Sequence, residues 1–169
     1  MEKNKNTITQ AAFTLIEVLV VLAILSVMSS VMLFDYSTGR VTQELEGTAR
    51  EVASAFREAQ NYALTGYQGV AGTNPCRFVV SWGTTSYTTT YWYKDGSGAC
   101  TQSAILGSYT LGSGTAFAGT GNFYFTLPHA AVSFATASQP VVVSKAGTSY
   151  VVCTYQSGLI NHFSGTTCP

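Results

Sequence analysis

The chain has 169 residues, a length that suits one compact domain with an attached helix and is too short for two ordinary domains. Hydrophobic residues make up 46% of the sequence and charged residues only 9%, a small share for a freely soluble protein of this size. The formal net charge is zero, so no overall electrostatic field favours nucleic acid or an acidic surface.

The first part of the chain combines a basic start with a long apolar stretch. Residues 1–12 are mostly polar and carry Lys3 and Lys5, whereas residues 13–34 are almost all apolar and carry Glu17 as their only charge. At 1.5 Å per residue, these roughly 22 residues span about 33 Å, enough to cross a hydrocarbon core. The lysines before this stretch and the mixed charges after it predict a single membrane helix with a cytoplasmic N-terminus and the rest of the chain outside.

Two alternatives for the apolar stretch are an ordinary secretory signal, cut before Ser30, and an uncleaved anchor that starts at Met1. Either would make the protein a signal-anchored or secreted extracytoplasmic β-domain that binds a ligand. Neither accounts for Glu17, because a carboxylate at the centre of a bilayer costs at least about 2.5 kcal/mol.

The run Ala12-Phe13-Thr14-Leu15-Ile16-Glu17 explains the lone carboxylate, because it resembles the prepilin signature of type IV pilins and type II secretion pseudopilins. The resemblance implies that a prepilin peptidase cuts between Ala12 and Phe13 and methylates Phe13. It also implies that Glu17 is the assembly carboxylate, that the partners are other pilin or pseudopilin subunits, and that the helix crosses the inner membrane. The family usually has Gly before the cut; Ala12 is also small, so cleavage is expected.

The pattern of the remaining chain changes from helical to extended. Apolar residues recur every three or four positions over residues 35–66, which predicts an amphipathic continuation of the helix, and from Tyr67 the period becomes two. Strands are predicted at residues 77–82, 86–93, 107–111, 122–127, 131–134, 141–144, 150–155 and 159–163. The sequence therefore predicts an α+β fold, in which a long N-terminal helix packs on an antiparallel β-sandwich head.

These patterns divide the chain into a leader at residues 1–12, a membrane-spanning and filament-core helix at 13–34, its amphipathic continuation at 35–66 and a β-rich head at 67–169. The order of helix and strands, including the segments 76–80, 123–128, 140–144, 150–152 and 157–160, is similar to the GspH/FimT branch of minor pseudopilins and pilins. This similarity implies a subunit of a small initiating or tip complex of a pilus or secretion filament.

The four cysteines form no C-x-x-C pair and none adjoins a histidine, so zinc-ligand spacing is absent. With the head outside the cytoplasm, an even count favours two disulfides. Chain order suggests Cys76 with Cys100 and Cys153 with Cys168, although three connectivities remain open. A C-terminal pair such as Cys153 and Cys168 is also similar to the disulfide-bounded loop of major pilins, which leaves a shaft subunit as an alternative.

The head offers no set of residues suited to catalysis, to a cofactor or to a metal. His129 and His162 are far apart in sequence, and every acid of the chain except Asp95 precedes Ala59. The sequence therefore predicts no catalytic residue, no cofactor, no metal site and no enzymatic activity.

Aromatic residues in the strand at 86–93 raise the question of a nucleic-acid surface. Tyr87, Tyr91 and Tyr93 share one strand face, which favours packing in the core. DNA binding stays a minor alternative, because Arg77, Lys94 and Lys145 are too few and too scattered to form a basic stripe.

Overall fold

The fold is described from a computed structural model that covers residues 14–169, without the side chains of residues 31–38. Helix α1 spans Leu15–Thr65. The chain divides into two compact units, the first ending at Gly39 and the second comprising Arg40–Pro169. The second unit contains all nine strands of the described chain.

Within the second unit, helix α1 is amphipathic. Its fully buried residues recur every three or four positions, as expected for a helix that packs one face on a core. These residues are Leu45, Ala49, Val52, Ala53, Phe56, Ala59 and Ala63. Arg50 and Leu64 lie on exposed positions of the same helix, so one face meets the sheets and another meets solvent.

The C-terminus of α1 is capped by a glycine in the left-handed region. Gly66 has a φ of 63°, and the Tyr67 amide donates a hydrogen bond to the Tyr62 carbonyl at 3.0 Å. The rings of Tyr62 and Tyr67 stack with centroids 4.5 Å apart, which supplies the apolar contact that accompanies this type of cap. The helix therefore ends at a defined residue and the chain turns into the sheets.

Two antiparallel sheets form the rest of the second unit. The nine strands are β1 (Pro75–Trp82), β2 (Ser86–Lys94), β3 (Cys100–Thr110), β4 (Ala116–Phe117), β5 (Gly121–Thr126), β6 (Ala131–Val132), β7 (Ser138–Lys145), β8 (Thr148–Tyr155) and β9 (Ile160–Ser164). A five-stranded sheet has the order β3-β2-β1-β5-β6, and a four-stranded sheet has the order β4-β7-β8-β9. Consecutive pairs such as β1–β2 and β7–β8 are hairpins, which need only short turns.

The helix and both sheets share one core. Phe56 of α1 meets Phe123 of β5 edge to face, with centroids 5.1 Å apart, and lies 6.5 Å from the ring of Trp82. From the four-stranded sheet, Val141 and Val152 belong to the same buried cluster. This shared burial makes the part of α1 that lies in the second unit a component of the core.

The α+β fold with antiparallel sheets packed on the helix confirms the prediction from sequence. Strand β3 begins at Cys100, seven residues before its predicted start, and β4 was not predicted. The pairing of β2 with β3 shifts register between Thr89 and Thr90, so the apolar alternation that marks a regular strand is interrupted there.

Candidate functional site

The N-terminus of α1 is organised around the predicted assembly carboxylate. The Glu17 amide donates to the Thr14 carbonyl at 3.0 Å and lies 3.4 Å from the Thr14 hydroxyl oxygen. Thr14 and Glu17 have the spacing of a capping box, in which a hydroxyl residue and an acid three positions later protect the first turn. A carboxylate in the first turn also interacts favourably with the positive end of the helix dipole.

The helix surface around this carboxylate is apolar on every side. Its exposed large apolar residues are Leu15, Ile16, Val18, Leu19, Val20, Val21, Leu22, Ile24, Leu25, Val27 and Met28. The hydroxyls of Ser26, Ser29 and Ser30 donate to backbone carbonyls of the preceding turn at 2.7–2.8 Å, so they add little polarity to this surface. A helix that is apolar all round requires an apolar environment, which lipid or neighbouring helices provide.

Glu17 lies in the first turn of α1, with exposed apolar residues on both sides of it in the sequence. Together with Val18, Val21 and Leu22 it lines a shallow depression of about 340 Å³ on one side of the helix. Among residues 14–30 and 39–169, no side chain forms an ion pair with the Glu17 carboxylate. One carboxylate and the apolar residues of the next turn therefore form a single surface, against which another helix or lipid can pack.

The predicted cleavage and methylation positions, Ala12 and Phe13, lie outside the described residues, as does the leader before them. The predicted membrane span of residues 13–34 also extends past the described side chains at both ends. Within the part of the chain that the structure describes, no helix is both long and apolar enough to cross a bilayer.

The helix is fixed to the head by polar contacts as well as by the core. The Lys145 ammonium lies 2.7 Å from a Glu44 carboxylate oxygen, and this hydrogen bond and charge hold the pKa of Glu44 below its ordinary value. Lys145 ends β7, where Ala146 and Gly147 form the turn into β8 with positive φ at both positions. The turn thus places the cation over the helix.

Two further contacts join α1 to the four-stranded sheet. The Arg57 guanidinium donates to the Ile160 carbonyl at 2.7 Å, and the Gln60 amide donates to the Gly158 carbonyl at 2.8 Å. Both carbonyls belong to the turn between β8 and β9 or to the start of β9. These contacts join side chains of α1 to backbone carbonyls at one end of the four-stranded sheet.

Both disulfides suggested by chain order are present. Cys76 pairs with Cys100, joining the start of β1 to the start of β3 with a Cα separation of 6.3 Å. Cys153 of β8 pairs with Cys168, near the C-terminus, with a Cα separation of 5.8 Å. The second bond encloses a C-terminal loop and leaves no free cysteine in the chain.

Two titratable residues of the second unit, Asp95 and Tyr62, form hydrogen bonds that shift their pKa values. Asp95 accepts hydrogen bonds from Ser97, Ala99 and Thr101, and those from the Ser97 and Thr101 hydroxyls lower its pKa to about 2. The Tyr62 hydroxyl donates to Glu58 at 2.6 Å, which raises the pKa of this tyrosine to about 12. Among the described residues, no group of three or more His, Cys, Asp or Glu side chains is placed to hold a metal.

Sequence reasoning missed one cluster on the outer face of the five-stranded sheet. The Arg77 guanidinium carbon lies 4.4 Å from the ring centroid of Trp92 and 5.2 Å from that of Tyr124. The available signal was strand alternation: Arg77 precedes the buried Phe78, and Tyr124 lies between the buried Phe123 and Phe125, so both point away from the core. By contrast, Tyr87 and Tyr91 are buried, which confirms that they pack in the core.

Comparison with known proteins gives one match. Residues 9–33 match the family model described as the prokaryotic N-terminal methylation motif. No curated protein and no solved structure gave a significant match to the chain. The matched residues include the run from Ala12 to Glu17, so they coincide with the capped helix start described above. The motif indicates a type IV pilin-like precursor that is processed by a prepilin peptidase and assembles with other pilin subunits, and it points to a structural subunit and not to an enzyme.

Proposed function

We propose that the chain is a minor pilin-like subunit, similar to the GspH/FimT branch, of a type IV pilus or a type II secretion pseudopilus. In this proposal residues 1–12 are the leader, residues 13–34 cross the inner membrane and later enter the filament core, and residues 35–66 continue the helix. Residues 67–169 form the head, which is periplasmic before assembly and exposed on the filament afterwards. The single observation that carries the assignment to a pilin-like subunit is the match of residues 9–33 to the methylation motif.

The placement of Glu17 supports assembly through the helix. Removal of a leader before Phe13 creates an amine, and methylation of an amine leaves its positive charge in place. In a stack of parallel helices, the amine of one subunit is a counter-charge for the Glu17 carboxylate of a neighbour. A paired charge in an apolar environment fixes register, whereas an unpaired one is strongly destabilising. Glu17 would thus select correctly aligned neighbours.

The test compares two carboxylates of the same helix. Glu17→Gln keeps the size of the side chain and its ability to form hydrogen bonds but removes the charge. Glu46→Gln removes a partly exposed acid that pairs with Arg50 at 2.5 Å. Each variant is produced with a tag beside the untagged wild type, and the tagged fraction is measured in membranes and in sheared, purified filaments. We expect both variants at the wild-type level in membranes.

In filaments, we expect Glu17→Gln to fall by roughly tenfold or more, because breaking a buried ion pair costs several kcal/mol. Glu46→Gln should be incorporated like the wild type, because an exposed pair contributes little. Equal incorporation of Glu17→Gln and the wild type would contradict the role assigned to Glu17.

A second candidate function within the same class is the major subunit of a filament shaft. The observation that favours it is the disulfide between Cys153 and Cys168, which encloses a C-terminal loop as in major pilins. Abundance separates the two, because a shaft subunit dominates the protein content of purified filaments and a tip or initiating subunit is present in few copies.

A further inference from the structure

The outer face of the five-stranded sheet carries a cluster that the assembly role does not use. The depression there has a volume of about 340 Å³, at the lower end of the roughly 300–1,000 Å³ typical of small-molecule sites. Strands β1, β2 and β5 contribute its lining, because Arg77 pairs across the sheet with Trp92 and Val79 pairs with Tyr124. Its polar and aromatic lining residues are Arg77, Ser81, Thr90, Trp92, Asn122 and Tyr124.

Arg77 supplies a positive charge that has no carboxylate partner among residues 14–30 and 39–169. Its Nε is buried and has no hydrogen-bond partner there, while the rings of Trp92 and Tyr124 flank the guanidinium. Stacking on aromatic rings holds an arginine fork in place, so that less side-chain entropy is lost when the fork binds a ligand. A guanidinium binds a carboxylate or a phosphate through two parallel hydrogen bonds.

The charges of the head make this face complementary to an anion. The only acid of residues 59–169 is Asp95, and both of its carboxylate oxygens accept hydrogen bonds from its own loop. The neutral polar groups that line the same depression include the hydroxyls of Ser81 and Thr90 and the amide of Asn122. The site thus combines one cation with neutral donors and acceptors and with aromatic surface.

This combination matches the groups of an acidic sugar. The carboxylate of a uronic acid fits the guanidinium, its hydroxyls fit neutral hydroxyl and amide groups, and its apolar ring face fits an aromatic side chain. Nucleic acid fits less well, because its affinity comes from several phosphate contacts and this depression offers one cation.

We propose that the outer face of the five-stranded sheet binds an acidic saccharide, with Arg77 as the ligand of its carboxylate and Trp92 and Tyr124 as its aromatic contacts. The proposal concerns the head alone and does not depend on whether the subunit is minor or major. It adds to the filament a surface that recognises uronic acid residues.

The test is calorimetric titration of the full-length chain, purified in detergent, with three probes. These are a short oligogalacturonate, a neutral maltooligosaccharide of the same length, and a single-stranded oligothymidylate. We expect heat of binding from the oligogalacturonate, and at least roughly tenfold weaker binding of the other two probes. The maltooligosaccharide has no anionic group for the arginine, and the oligothymidylate meets one cation where its affinity requires several phosphate contacts.

Variants assign the binding to this face. Arg77→Gln is expected to weaken oligogalacturonate binding by roughly tenfold or more, which is the effect of losing a charged hydrogen-bonded partner. Its matched control is Arg50→Gln, which removes an exposed arginine from α1 and should bind like the wild type. Trp92→Leu removes the ring beside the guanidinium and should also weaken oligogalacturonate binding. If Arg77→Gln lowers the thermal unfolding temperature, so that its loss of binding could come from unfolding, Trp92→Leu decides whether this face binds the oligogalacturonate.

Three results would overturn the proposal: no binding of oligogalacturonate by the wild type, equal or tighter binding of oligothymidylate, or unchanged binding by both Arg77→Gln and Trp92→Leu. Failure here would leave the assembly of Glu17 variants into filaments untouched, so the two proposals are tested separately.

Discussion

Replacement of Phe56 by alanine tests whether the helix is part of the core of the head. Phe56 is fully buried, and its ring contacts those of Phe123 and Trp82 on the five-stranded sheet. Truncation of a buried phenylalanine costs about 3–5 kcal/mol, part of it from the cavity that remains. With an unfolding slope of about 2 kcal/mol per molar urea, the midpoint should fall by about 1.5–2.5 M.

The assay is urea unfolding of the full-length chain in detergent, followed by tryptophan fluorescence. Trp82 is a suitable reporter because only 8% of it is exposed and its ring lies 6.5 Å from Phe56. The matched control is Leu64→Ala, on the same helix but 55% exposed, for which we expect a change within about 0.5 kcal/mol. A loss below about 1 kcal/mol for Phe56→Ala, or equal losses for the two variants, would refute the shared core.

Two other contacts give measurable effects on the free energy of unfolding. Because Lys145 lowers the pKa of Glu44, the stability from this pair is present above the ordinary value of 4.5 and is lost as pH falls through the lower folded value. In urea titrations, the free energy of unfolding of Lys145→Gln should therefore fall less than that of the wild type between about pH 7 and pH 3. The control Lys94→Gln should follow the wild type. An equally steep fall in Lys145→Gln would contradict the contact between Lys145 and Glu44. Replacing both Cys153 and Cys168 by alanine removes the bond that closes a loop with a sequence separation of 15. Under oxidising conditions, urea unfolding should show that the free energy of unfolding falls by about 3 kcal/mol. A fall of less than about 1 kcal/mol would count against a structural role for this disulfide.

The sequence predicted the features that repeat along the chain. The helical period predicts one face that comprises Val41, Leu45, Thr48, Val52, Phe56, Ala59 and Ala63; five of these seven are buried, whereas Val41 and Thr48 are half-buried. Alternation and turn residues located most of the strands, because a strand with one buried face has a strict period of two. The first half of β3, from Cys100 to Ser103, lacks large apolar residues, so nothing in the chain marked it as a strand.

Features that join distant parts of the chain required the structure. The disulfide pairing followed chain order, but only the Cα separations of 6.3 and 5.8 Å select it from three connectivities. Arg77, Trp92 and Tyr124 lie on three strands, and the register that brings them together depends on the order β2-β1-β5, which the sequence does not encode locally. Arg77 therefore looked like one of several scattered cations, although it lies between two rings.

The mature N-terminus tests the central proposal most directly. The full-length chain is purified from membranes of a bacterium that contains a prepilin peptidase, digested, and its N-terminal peptide is identified by mass spectrometry. We predict a peptide that begins at Phe13 with an added methyl group, which would establish cleavage after Ala12. A chain that begins at Met1, or at Ser30 after removal of the apolar stretch, would contradict the proposal that this protein assembles as a processed pilin-like subunit.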